Sequence, residues 1–385
     1  MRRIPARSLR TFMRILFFSM PAVGHFFPLV PLARAARAAG NEVLMGSCGE
    51  AELLAEAALP IADIAPGATL KSLFADFHRR YPEVNERIMA GFMSEDLEGV
   101  HFGTFSDWLA DGAVATAQRW RPDLVVYERM APFGLLAARV LGVPAVRHEL
   151  GISQGERAGQ LRHMAAALRR HGTQGLVDDG PWLDIAPPSI TGARRGGWLM
   201  RPTPHNGNGK LPSWLRRKPR RALIAVTLGT IVPRMQGVGV VQRILALAPE
   251  VDADFVLALE PRDRQKLGAL PANVRDGGWL PMGALLAACT AVVHHGGSGT
   301  MYAALDSGVP QLMVPDGASD RGVNADAVVA RGAGMACAPD KLDAGLLRRL
   351  VTDEGLRIAA QEVRAELADM PEPSQVVKRF GELAV

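Results

Sequence analysis

At 385 residues the chain is long for one hydrophobic core and comfortable for two. Its 48% hydrophobic and 22% charged residues suit an ordinary globular protein, and three scattered cysteines (Cys48, Cys289 and Cys337, with no CxxC pair) argue against a disulfide framework or a structural zinc. Much of the +5 net charge sits in MRRIPARSLR at the N-terminus and WLRRKPRR at 214–221, which is not the broad basic face, interleaved with aromatics, that nucleic-acid binding requires.

The N-terminus imitates a signal peptide, with basic residues followed by ILFFSM. Pro21, Gly24, His25, Pro28 and Pro31 interrupt that run, and no segment reaches the ~18 uninterrupted apolar residues that span a bilayer. A cytoplasmic protein without stable membrane insertion is expected, with Met13 as an alternative start because MRILFF opens the first strand. Residues 13–19 read as a buried strand, 20–27 as a loop and 28–39 as a helix closed by Gly40; NEVLMGS is the second strand. LLAEAALPIADI continues helix-then-strand, PDLVVYE (122–128) and PAVRHEL (144–150) are strands, and APFGLLAARVLG is the helix between them. Such alternation indicates βαβ units and a parallel sheet. Segments 67–115 and 152–190 fit it poorly and read as insertions over that sheet, where a variable partner would be gripped.

Residues 201–220, rich in Pro, Gly, Asn and basic side chains, read as an interdomain linker. The pattern then restarts with RALIAVTLGT, DFVLALE, NVRDGGWLP, GALLAACTAVVHHGG and PQLMVP. The expected fold is α/β, with two doubly wound Rossmann-like domains, 1–200 and 221–385, facing a central cleft; the last helix is free to return to the first domain. Ligands in such sheets bind beyond the carboxyl ends of the strands.

Several residues at those ends carry chemistry. His25 sits in the loop after the first strand, and its ordinary pKa suits a general base near neutrality. Glu128 closes the strand PDLVVYE, where a carboxylate would orient His25 and stabilise its protonated form. In the second half, VVHHGGSGT (292–300) is a strand, a glycine turn and a helix start, a natural anion site, although a tight turn that merely needs glycine has the same pattern. It lacks a Walker lysine and a GxGxxG. Backbone amides of Gly297, Ser298, Gly299 and Thr300 would point at the anion, joined by His295 and the Ser298 and Thr300 hydroxyls. A second loop, TLGT ending at Thr230, suits a diphosphate better than one phosphate. Trp279 offers a flat face to a base, or packs in the core. Asp316, Asp320, Arg321 and Asn324 gather at a helix start, as sugar ligands or as ordinary caps. The Asp-x-Asp of VDADF (251–255) precedes a strand and so lies at the wrong end for metal-assisted sugar transfer.

Together GHFFPLVPLA, the WLP and HHGGSGT pair, and the Asp320…Asn324 segment resemble the bacterial natural-product branch of the GT-B glycosyltransferases over nearly the whole chain. WLDIAPPS and PMGALL also resemble C-glycosyltransferases of siderophore and aromatic polyketide pathways. The resemblance implies inverting transfer, without metal or cofactor, from a TDP- or UDP-sugar to a small, aromatic or polyketide acceptor. It assigns His25 as the base, His295, Gly297, Ser298, Gly299 and Thr300 to the diphosphate, Trp279 to the base ring and Asp320 to sugar hydroxyls. Three departures stand out: Asp320-Arg321 replaces an Asp-Gln pair, Glu128 replaces an aspartate, and Ala303 stands where a ribose-binding glutamate is common, which favours a TDP-sugar. A sugar-nucleotide epimerase and a non-catalytic nucleotide-binding helper are the rival readings. The acceptor and the O- or C-linkage stay open, as does oligomeric state, a homodimer being one option.

Overall fold

The computed structural model describes residues 12–383 except 50–56, 91, 93, 153–157, 174, 177–179, 193–194, 208, 218, 231 and 316–319. Two parallel sheets organise it. The first contains β1 (Arg14–Phe18), β2 (Glu42–Ser47), β3 (Ile61–Asp63), β4 (Leu124–Glu128), β5 (Ala145–His148), β6 (Trp182–Asp184) and β7 (Trp198–Leu199), in the order β3-β2-β1-β4-β5-β6-β7. The second contains β8 (Ala222–Thr227), β9 (Ala253–Leu257), β10 (Val274–Asp276), β11 (Ala291–His294), β12 (Gln311–Met313) and β13 (Gly334–Ala336), in the order β10-β9-β8-β11-β12-β13.

The continuous apolar runs of the sequence follow from this layering. Helices cover both faces of a parallel sheet, so both side-chain rows must be apolar. In β1, Ile15 and Phe17 enter one core while Leu16 and Phe18 enter the opposite one. In β8, Ile224 and Val226 face one core, and Leu223 and Ala225 the other. The side-chain period of two thus serves two cores at once.

Two parts of the architecture differ from the sequence expectation. The 152–190 segment is not wholly an insertion, because it supplies β6 to the first sheet. A strand of three residues is too short to display a period. Within 67–115 begins the 26-residue helix Glu95–Trp120, which is the crossover leading to β4 and was cut short by reading it as an insertion. Ser94 caps its start by accepting the Leu97 N–H, and Arg121 ends it in the left-handed region at φ 53°.

A single apolar core on one side of the first sheet also takes in Met301, Tyr302 and Leu305 of the helix Ser298–Ser307, and Val363, Leu367, Val376 and Phe380 near the C-terminus. The last helix, Pro373–Arg379, therefore packs on the first domain, and the Arg379 guanidinium sits 3.8 Å from the Trp198 ring centre. Leu215, within the stretch read as a linker, is buried in a core of the second domain. Among the described residues no helix is long and apolar enough to cross a membrane.

Candidate active site

Each sheet reverses its strand order once, between β1 and β4 in the first and between β8 and β11 in the second, and such reversals open the ligand crevices of α/β folds. The register pairs Phe18 with Tyr127, so the loop after β1 and the end of β4 emerge side by side. There His25 Nδ1 lies 3.2 Å from Glu128 Oε1. The fully buried carboxylate also accepts the Met20 N–H at 3.1 Å and the Met130 N–H at 2.5 Å. A carboxylate held this way fixes the imidazole tautomer: Nδ1 carries the proton, and Nε2 is left facing the cavity. Burial by itself lowers the His25 pKa, but the charge and hydrogen bond of Glu128, with Asp320 and Glu98 beyond, outweigh it and hold the pKa above 6.5.

In the second sheet the two adjacent histidines do different work. His294 is buried; its Nδ1 accepts the Gly296 N–H at 3.1 Å and its Nε2 donates to Gln311 Oε1 at 2.8 Å. It is a strut that shapes the turn, and burial lowers its pKa to about 4. His295 turns into the cavity and packs against glycine on both sides. A Cβ on Gly229 would stand 2.7 Å from its ring, and one on Gly297 only 2.4 Å. No side chain but hydrogen fits there. Burial, then the neighbouring His294 and Arg321, pushes the His295 pKa well below 6.5, so this ring stays neutral.

The helix Ser298–Ser307 starts directly after Gly297, and no side chain caps it. Its first amides lack intrahelical partners by geometry. They face the cavity at the positive end of the helix dipole, an arrangement suited to a phosphate. Asn324 braces the turn, donating through Nδ2 to Gly296 O at 2.9 Å and to Ser298 Oγ at 3.0 Å.

One cavity of about 660 Å³ joins these pieces. His25 lines it from the first domain; Thr230, Trp279, His295, the 297–300 turn, Asp320 and Arg321 line it from the second. Trp279 is 37% exposed, so it is not core packing. Asp320 opens the helix Asp320–Ala330 at the cavity edge. Glu128 sits behind His25 without lining the cavity, and Asp316 lies outside the described residues. The Asp-x-Asp carboxylates are far from this chemistry: Asp252 and Asp254 pair with Arg221 at the entry end of the strands.

The chain is also similar to known proteins over nearly its whole length. Family models described as the N-terminal and C-terminal domains of erythromycin biosynthesis protein CIII-like proteins match residues 34–229 and 242–383. Elloramycin glycosyltransferase ElmGT of Streptomyces olivaceus is 37% identical over 375 residues, covering 96% of this chain and 97% of its own. The chain belongs to the antibiotic-type GT-B glycosyltransferases. Among solved structures, the glycosyltransferase SnogD from Streptomyces nogalater matches with a TM-score of 0.84 and 37% identity, over 97% of this chain and 99% of SnogD. SsfS6, a glycosyltransferase of Streptomyces sp. SF2575 solved with thymidine diphosphate, gives 0.82 and 29% over 96% and 99%. The epimerase and helper readings are not favoured by these matches.

The cavity of this glycosyltransferase also has walls that the sequence reading did not name. Glu98, His101, Phe102 and Phe105 all line it from the Glu95–Trp120 helix. Their spacing of i, i+3, i+4 and i+7 places them on one helical face, a signal that was readable once that helix was seen as continuous. Asn324 was noticed only as part of a polar cluster; its function as a brace for the turn needed the fold.

Proposed function

We propose that this enzyme transfers a deoxysugar from a TDP-sugar to a hydroxylated acceptor with inversion at the anomeric carbon. The observation that carries this reading is the opposition of His25 Nε2, backed by Glu128, to the uncapped helix start at 298–300 across one cavity. His25 Nε2 takes the proton from the acceptor hydroxyl as the new bond to the anomeric carbon forms. On the opposite face the bond to the diphosphate breaks, and its electron pair leaves with the β-phosphate. General base catalysis contributes about 10²–10⁴-fold. Glu128 stabilises the imidazolium that results.

The leaving diphosphate gains charge against the amides of Ser298, Gly299 and Thr300, fixed dipoles that need no reorganisation as the bond breaks. Neutral His295 and Thr230 supply further hydrogen bonds, Trp279 stacks on the thymine, and Asp320 with Arg321 holds sugar hydroxyls. Asp316 is assigned to the same sugar site on its sequence position alone. Two things support thymidine over uridine: SsfS6 binds thymidine diphosphate, and Ala303 is buried in the core and brings no carboxylate toward a ribose 2′-hydroxyl.

Calorimetric titration with TDP and with UDP in EDTA, followed by turnover with a TDP-deoxysugar, tests this. TDP is expected to bind more tightly than UDP without added metal. Binding of neither would remove the diphosphate from the 295–300 turn and overturn the proposal.

A further inference from the structure

Two polar groups on the first-domain wall of the cavity are left with bonding capacity that the fold does not use. Glu98 is mostly buried, and both Arg129 and Gln160 reach the same oxygen, Oε1, each at 3.2 Å. Among the described residues nothing reaches Oε2. One turn along the helix, His101 is only 3% exposed and sits in an aromatic cage, its ring centre 4.5 to 5.2 Å from those of Phe74, Phe77, Phe102 and Phe105. Its Nδ1 is buried and has no hydrogen-bond partner. An unmet polar atom in such a place is costly and calls for an explanation.

Both residues line the cavity, and Phe102 stands 5.5 Å from the His25 ring, so this wall adjoins the base. Residues three apart on a helix lie about 5–6 Å from each other at Cβ. We infer that Glu98 and His101 form a two-point polar reader for the acceptor. They take hydroxyl or carbonyl substituents on one edge of a fused aromatic ring system that lies against Phe74, Phe102 and Phe105. The acceptor class is thus a hydroxylated polycyclic aromatic, and the pair determines specificity without taking part in proton transfer.

The chemistry of the two groups is complementary. Burial raises the Glu98 pKa, with Asp320 and Glu95 adding to the shift against the opposing Arg129 and Gln160. Such a carboxyl accepts from a hydroxyl when ionised and donates to a carbonyl when protonated. His101 is held neutral, its pKa pushed down to about 3 by burial and by His25, so its ring can offer either a donor or an acceptor.

This inference rests on the transferase reading above, and one titration series separates the two. Tryptophan fluorescence would report the affinity of 1,8-dihydroxyanthraquinone and of unsubstituted anthraquinone for the wild type, Glu98→Gln and His101→Phe, with the TDP affinity of each sample measured alongside. The wild type is expected to favour the dihydroxy compound by about tenfold, the worth of one or two polar contacts. Each variant should cut that preference to about threefold or less while TDP affinity stays within about twofold. Equal wild-type affinity for the two ring systems, binding of neither, or an undiminished preference in both variants would overturn the reader. Should either variant not fold, Glu98→Asp or His101→Gln takes its place in the same titration, with the same expected loss of preference. Loss of TDP binding by the wild type would instead sink the transferase assignment of the cavity.

Discussion

The two strand-order reversals are the same device used twice, and the pKa values of their histidines move in opposite directions. His25 follows β1 and meets a buried carboxylate clamped by two backbone amides, so its pKa rises. His295 follows β11 and is packed between glycines; burial first, then His294 and Arg321, lowers its pKa. Topology sets where an imidazole stands; burial and the charge beside it set which way its pKa moves.

Breaking the first site should have the largest effect. His25→Ala is expected to lower kcat by about 10²–10⁴-fold, with TDP affinity by calorimetry unchanged; a matching loss of TDP binding would contradict a role confined to the acceptor side.

Next comes its partner. Glu128→Gln should cost about 10–100-fold, the usual worth of a group that orients a functional imidazole. The sign of the pH effect follows from the raised His25 pKa. Only the neutral ring accepts a proton, so the acid limb of kcat/KM should lie above pH 6.5 in the wild type. In Glu128→Gln burial is less opposed and the limb should move down. The same pair contributes stability that is full below the unfolded histidine pKa and is lost as pH rises through the folded one. A limb that does not move would detach Glu128 from the titration.

The second site is sharpened by a smaller change. Gly297→Ala drives a methyl to 2.4 Å from the His295 ring, which must shift to admit it. About tenfold weaker TDP binding is expected, in line with the cost of overpacking. Unimpaired binding would show that His295 does not help to shape the diphosphate site.

The smallest effect is expected at the brace. Asn324→Ala removes the bonds to Gly296 O and Ser298 Oγ, and should weaken TDP about threefold and lower stability by about 1 kcal/mol. A kcat loss as large as that of His25→Ala would mean that Asn324 touches the reacting atoms.

Much of this was legible in one dimension. Runs such as RILFF and ALIAVT must be strands covered on both faces, and a glycine turn between AVVH and a helix must expose amides. Less legible were β6 and β7, at three and two residues, because pairing with a neighbour defines strands that short. The division of labour in HHGG was also hidden, since adjacent letters gave no sign that His294 reaches Gln311 while His295 turns to the cavity.

By itself the sequence determined the two α/β halves, the candidate base after the first strand and the candidate anion-binding turn after the eleventh, because hydrophobic period and glycine spacing act locally along the chain. Only the tertiary structure decided that Glu128 buttresses His25, that His295 stays neutral, and that Glu98 and His101 face the cavity with unused hydrogen-bonding capacity. Those properties depend on burial and on charges brought together from 60 to 300 residues away, as with Glu98 and Gln160 or His25 and Asp320. Distances of that kind exist only once the sheets have paired and the helices have closed over them.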